Sequence, residues 1–107
     1  MLMIEDTPGI ANLRDMLKNV PGIGGVLIGE GDLSQELGIP RQYDHPELRA
    51  AMAEVLATCR DFNVPVGHPH VSGKNIERVL QEGYRFLMVS PVRSLEPLEL
   101  GRKLAGR

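Results

Sequence analysis

The sequence has no tryptophan, two phenylalanines, two tyrosines and a single cysteine in 107 residues. With so few aromatic rings, the core must be built from Leu, Ile, Val, Met and Ala, as in many parallel-sheet proteins. Cys59 alone cannot form an internal disulfide, which fits a reducing compartment. Neither sign of charge dominates: 12 Lys and Arg stand against 14 Asp and Glu, for a net charge of −2. There is thus no basic footprint for nucleic acid or an anionic membrane surface. No apolar run approaches the roughly 20 residues of a membrane span. The first residues have no basic segment and meet an acid at Glu5, so no signal peptide is expected. These absences leave a cytoplasmic α/β protein of one domain, residues 1–107, with neither nucleic acid nor membrane as partner.

What is present is a repeated succession of short apolar runs and longer periodic segments. Leu2-Met3-Ile4 reads as a strand. Thr7-Pro8 reads as an N-cap with proline at the first helical position, and Ile10, Leu13, Met16, Leu17 and Val20 recur at helical spacing until Pro21-Gly22. Val26-Leu27-Ile28 is a second strand, followed by a short helical turn over Leu33–Leu37. Asp44 or His45 caps a long helix with Pro46 inside it, whose buried face is Leu48, Met52, Val55, Leu56, Cys59 and Phe62. Val64–His68 is a third strand. Ser72 is expected to cap a helix carrying Ile76, Val79 and Leu80, which Gly83 ends. Phe86–Val89 is a fourth strand, and a final helix is expected from about Ser94 to Leu104.

The order βαβαβαβα, with right-handed crossovers, makes the strands parallel and brings all their carboxyl ends to one rim. Glu5, Asp32, His68 and Ser90 fall on that rim, where α/β folds place their chemistry. Gly29-Glu30-Gly31-Asp32, directly after a buried strand, delivers a carboxylate and unencumbered backbone N–H groups to one spot. Glu5 ends the first strand in a similar way, and two carboxylates at adjacent strand ends suggest a divalent-metal site. Each has a plainer reading: Glu5 as a strand-end acid capping the next helix, Asp32 as an N-cap. Ser34 reads as a helical-turn hydroxyl, His45 as a cap, Cys59 as core, and Arg41, Arg78, Arg85 and Arg102 as solvated surface. The glycines at 22, 24 and 25 precede a strand, the opposite of the order a dinucleotide site needs. Local patterning fits either a small doubly wound sheet or half of a (β/α)₈ barrel.

An ordered series of motifs favours the half barrel. Met3-Ile4-Glu5, Gly25–Ser34, Leu37-Gly38, His45-Pro46-Glu47, Val64–Gly67 and Glu82–Leu87 together resemble the HpcH/HpaI family of class II pyruvate aldolases, of the 4-hydroxy-2-oxoheptanedioate aldolase type. The resemblance runs through the whole chain but covers only the C-terminal half of the family's (β/α)₈ TIM barrel. The chain is therefore expected to be four parallel βα units from a longer aldolase domain. The activity implied is a metal-dependent carbon–carbon lyase, cleaving 4-hydroxy-2-oxo acids to pyruvate and an aldehyde through a metal-stabilised pyruvate enolate. Glu5 and Asp32 are implied as ligands of Mg²⁺, Mn²⁺ or Co²⁺, and hard oxygen donors suit such ions. The backbone N–H groups of Gly31 and Asp32 are implied to hold the pyruvate carboxylate. His68 is the candidate catalytic residue, with His70 beside it, since a rim histidine can polarise a substrate or move a proton.

Two positions depart from the family pattern. Glu30 replaces a frequent proline and is expected to point outward, away from a site already rich in negative charge. Met3 stands where the family often has a substrate-binding glutamine. The family's catalytic histidine and substrate-binding arginine lie in its N-terminal half, and those roles are not transferred to His45, His68 or Arg93. Half a barrel exposes two strand edges and an apolar inner face. Either further βα units or a homo-oligomer is therefore expected to cover it. The contrasting reading is a non-catalytic binding or assembly module that keeps the fold and the metal site.

Overall fold

The structure is a computed structural model that describes residues 1–89 and 95–107. Its strands are β1 (Leu2–Ile4), β2 (Val26–Ile28), β3 (Val66–Val71) and β4 (Phe86–Val89). Its helices are α1 (Thr7–Asn19), α2 (Glu30–Glu36), α3 (Pro46–Asp61), α4 (Ile76–Glu82) and α5 (Glu96–Leu104). Ser90, Arg93 and the expected helix start at Ser94 lie outside the described residues. Among the described residues no helix is long and apolar enough to cross a membrane.

All strand pairings are parallel, and the strands lie in the order β1-β2-β3-β4. A doubly wound sheet reverses its strand order at a switch point and carries helices on both faces. Strands added in one direction by right-handed crossovers place every helix on one side. Successive units of a (β/α)₈ barrel are built this way, so the strand order settles what local patterning left open. The dimensions agree. The molecule measures 39 × 32 × 20 Å, and its shortest axis matches one sheet layer plus one helix layer of about 10 Å each.

The pleat sorts side chains between the two faces. Ile4, Val26, Ile28 and Val66 point to the helices and join a core with Leu13 of α1, Leu48, Val55 and Cys59 of α3, and Ile76 and Val79 of α4. Met3, Leu27, Gly67, Phe86 and Met88 occupy the opposite face by register. There Met3, Phe86 and Met88 remain exposed. Gly67 is needed on that face: a Cβ would stand 2.9 Å from Leu27 Cδ1, 2.9 Å from Phe86 Cδ1 and 3.3 Å from the Phe86 carbonyl oxygen.

The helix boundaries follow local chemistry. Asp6, one residue earlier than expected, caps α1 by accepting from the Gly9 N–H at 2.6 Å. Val20, expected on the buried face of α1, is an exposed C-cap. His45 caps α3 through Nδ1, which accepts from the Glu47 N–H at 3.2 Å. Asn75 precedes α4, while Ser72 makes the turn before it: the Ser72 N–H donates to Asn75 Oδ1 and the Ile76 N–H donates to the Ser72 carbonyl. Gly83 closes α4 in the left-handed conformation, φ 110°. Strand β3 runs on to Val71 despite Pro69, because the pairing with β4 shifts register between His68 and Val71. Such an irregularity tolerates a residue with no N–H to donate.

Candidate active site

Glu5 follows β1 directly, and Gly29 follows β2. Their strands pair with Ile4 opposite Ile28, and the Gly29 N–H donates to the Ile4 carbonyl at 2.8 Å. The two residues therefore leave the sheet side by side. A Cβ on Gly29 would stand 2.8 Å from Glu5 Cβ and 3.1 Å from Glu5 Oε2. Glycine at this position makes room for the Glu5 side chain, whose carboxylate lies over the end of β2. The chain then turns directly into α2 with Gly29 as N-cap, so that Asp32 falls on the first helical turn. An acid there is favoured by the unpaired N–H groups of the helix start.

Helix α2 begins three residues earlier than the expected helical turn, and this changes where Glu30 goes. Instead of pointing outward, Glu30 is only 2% exposed. Its carboxylate is hydrogen-bonded to His70 Nδ1, with His68 Nε2 at 3.8 Å. The expectation rested on repulsion within the rim, but the first residue of α2 reaches sideways to the end of β3, where two histidines receive it. Burial raises the Glu30 pKa, opposed by the hydrogen bond and charge of His70. Ser34 is fully buried, donating to the Gly31 carbonyl at 2.6 Å and accepting from the Arg41 N–H at 2.9 Å. It is thus a helical-turn hydroxyl that ties the following loop to α2.

His68 shares the helix-facing side of the sheet with Val66 and is buried. Its Nδ1 accepts from the His70 N–H at 3.2 Å, and its ring meets Tyr84 edge-on at 4.8 Å. Burial first, then the Arg78 charge, lower its pKa to about 4, so the ring is neutral at pH 7. The structure thus brings Glu5, Gly29 and the start of α2 together at the rim, and places His68 behind them with Glu30, His70 and Tyr84. Those four residues line one end of a cleft of about 620 Å³ between α3 and α4. Arg78, expected on solvated surface, is half-buried in this cleft and bonded to Glu82 at 2.7 Å. Cys59 is core, as expected, and burial pushes its thiol up to about 11.

Sequence reading missed Glu30 and Tyr43 as neighbours of the site. The Tyr43 ring lies 5.3 Å from that of His70, and its hydroxyl lies 4.0 Å from where a Gly31 Cβ would stand. Nothing local in the sequence marks the Glu30–His70 contact, since Glu30 follows β2 while His70 lies near the end of β3, 40 positions on. Among the described residues, no three His, Cys, Asp or Glu side chains converge as a metal cage.

The HpcH/HpaI aldolase/citrate lyase family model matches residues 1–90. The chain belongs to this family. Hydroxypyruvate/pyruvate aldolase of Pseudomonas aeruginosa is 34% identical over 107 residues, which is 100% of this chain and 39% of the relative. A 4-hydroxy-2-oxo-heptane-1,7-dioate aldolase of Escherichia coli is 30% identical over 89 residues, 83% of this chain and 34% of the relative. An HpcH/HpaI aldolase/citrate lyase family protein from Burkholderia cenocepacia superposes with a TM-score of 0.77 at 26% identity. That match covers 97% of this chain and 40% of the other. The four βα units are thus those of the HpcH/HpaI (β/α)₈ barrel, and the chain spans between a third and two fifths of the length of these two curated relatives.

Proposed function

We propose that this HpcH/HpaI chain supplies the metal- and pyruvate-binding part of a class II aldolase, which cleaves 4-hydroxy-2-oxo acids to pyruvate and an aldehyde. The observation that carries the reading is Glu5 packed over Gly29, at the head of the turn that bears Asp32. Glu5 and Asp32 are the oxygen donors that would hold Mg²⁺, Mn²⁺ or Co²⁺, which suits hard cations. When bound, such a cation supplies Lewis-acid polarisation of the 2-oxo group. Gly31, with no Cβ, lets the backbone approach a ligand closely, and its N–H and that of Asp32 would orient the pyruvate carboxylate.

His68 stands behind this rim, neutral and packed against Tyr84. That placement favours support of the Glu30–His70 contact over proton transfer. The proton-transfer group would then come from outside these residues, on further βα units or a second copy that closes the barrel over Met3, Phe86 and Met88. The test is Mn²⁺-dependent release of pyruvate from a 4-hydroxy-2-oxo acid, by the intact protein and by Glu5→Gln. Release that needs Mn²⁺ and is lost in Glu5→Gln supports the proposal. Release that survives the substitution rejects the metal assignment, and tight Mn²⁺ binding with no turnover favours a non-catalytic module.

A further inference from the structure

We propose that Glu30 and His70 form a positioning clamp that fixes the first turn of α2, and with it the Asp32 carboxylate, against the end of β3. The inference rests on the reading of Asp32 as a metal ligand. Helix α2 has seven residues and, among the described residues, no side chain capping its N-terminus. So short a helix is marginal by itself, and its start needs a hold from elsewhere. Glu30 is the first residue of that turn and is almost fully buried, in a hydrogen bond spanning 40 positions of sequence. His70 is itself fixed. Its N–H donates to His68 Nδ1 at 3.2 Å, its carbonyl accepts from Asn75 Nδ2 at 2.9 Å, and Tyr43 lies beside its ring. Three segments of the rim therefore meet around the Glu30–His70 contact: the β2–α2 junction, the end of β3, and the loop whose Tyr43 lies beside the His70 ring.

The energetics point to geometry and not to stability. Burying a carboxylate is costly even when it is hydrogen-bonded, and such a contact often contributes little net stability compared with apolar residues of the same size. Its attested use is to select one arrangement among several. Here the arrangement selected is the direction in which α2 leaves the sheet, which determines where Asp32 stands relative to Glu5. Glu30 touches neither substrate nor metal in this account. It acts through Asp32, as supporting partners of metal ligands do.

The probe is Mn²⁺, titrated into the intact protein and followed by the loss of the free-ion EPR signal. Glu30→Ala should weaken Mn²⁺ binding by about 10–100-fold, the usual effect of losing such a partner. Glu30→Gln keeps an acceptor for His70 and should recover most of the loss. His70→Ala should match Glu30→Ala, and the double variant should be no weaker than either single one. The His70 ring is 46% exposed, so His70→Ala serves where Glu30→Ala fails to fold. In His70→Ala, hydrogen exchange should quicken at residues 33 and 34, the first N–H groups of α2 that are hydrogen-bonded within the turn, and stay unchanged in α3. Folded His70→Ala or Glu30→Ala protein with wild-type affinity, or with unchanged exchange at 33 and 34, overturns the clamp. Asp32→Asn separates the two levels of the argument. If it binds Mn²⁺ normally, the reading of Asp32 is wrong. If it loses binding while Glu30→Ala does not, the clamp alone is wrong.

Discussion

Gly29→Ala tests the contact on which the site is built. The added carbon would lie 2.8 Å from Glu5 Cβ, 3.1 Å from Glu5 Oε2 and 3.6 Å from Glu5 Cα. Carbon atoms pack best at about 3.5–4.0 Å, so the first contact falls short by roughly 0.7 Å or more. Glu5 Cβ is bonded directly to the backbone and cannot swing aside by rotation. The ends of β1 and β2 must part, against the 2.8 Å hydrogen bond from the Gly29 N–H to the Ile4 carbonyl. Overpacking of this kind costs about 1–3 kcal/mol of stability. It also moves Glu5 relative to Asp32, for which we expect about tenfold or greater loss of Mn²⁺ affinity. Gly24→Ala is the control, since a Cβ there meets nothing within 4 Å. The assay is Mn²⁺ titration beside thermal denaturation of both variants. Wild-type Mn²⁺ affinity in Gly29→Ala, or an equal loss in Gly24→Ala, would refute the reasoning.

Three further outcomes are expected. His68 is neutral in the fold, with a pKa of about 4 against the ordinary 6.5. Its contribution is therefore fully present above pH 6.5 and is lost as pH falls from 6.5 through about 4, up to about 3 kcal/mol. Glu30, raised by burial, acts in the opposite sense, while Arg78, Glu82 and His70 also face the His68 ring; urea denaturation of His68→Gln should show a flatter decline between pH 6.5 and 4.5, and an unchanged decline would contradict the assignment. Asp6→Ala removes the α1 cap and should cost about 1 kcal/mol, read as a shift in the urea midpoint with no change in Mn²⁺ affinity. The open sheet face bearing Met3, Phe86 and Met88 should drive the isolated 107-residue chain to self-associate, and sedimentation as a stable monodisperse monomer would contradict this.

Much of the fold was legible because it is written locally. The buried face of α3 from Leu48 to Cys59, the four apolar strands and the stop at Gly83 each depend on residues close together in sequence, whereas Phe62, expected on that face, falls past the helix end as its half-buried C-cap. The errors of boundary were also local. Gly29-Glu30-Gly31 reads as a loop by its glycines, yet Gly29 opens a helix that Glu30 and Asp32 favour by their charge at its start. Pro69 hides the length of β3 because the shift in register that accommodates it belongs to the pairing with β4. The site was legible only in part. Glu5 and Asp32 stand out as carboxylates at strand ends. The burial of Glu30 could not be read from its neighbours, because its partner His70 is 40 positions away. Nor could the side of the sheet chosen by His68, which follows from the register of β3 on β2.

The central claim, that Glu5 and Asp32 hold a divalent cation, is tested most directly by calorimetric titration of Mn²⁺ into the intact protein, Glu5→Gln and Asp32→Asn. The account predicts one bound ion in the intact protein and loss of that binding in both variants, with their thermal stability retained. Unaltered Mn²⁺ binding in either folded variant would contradict it.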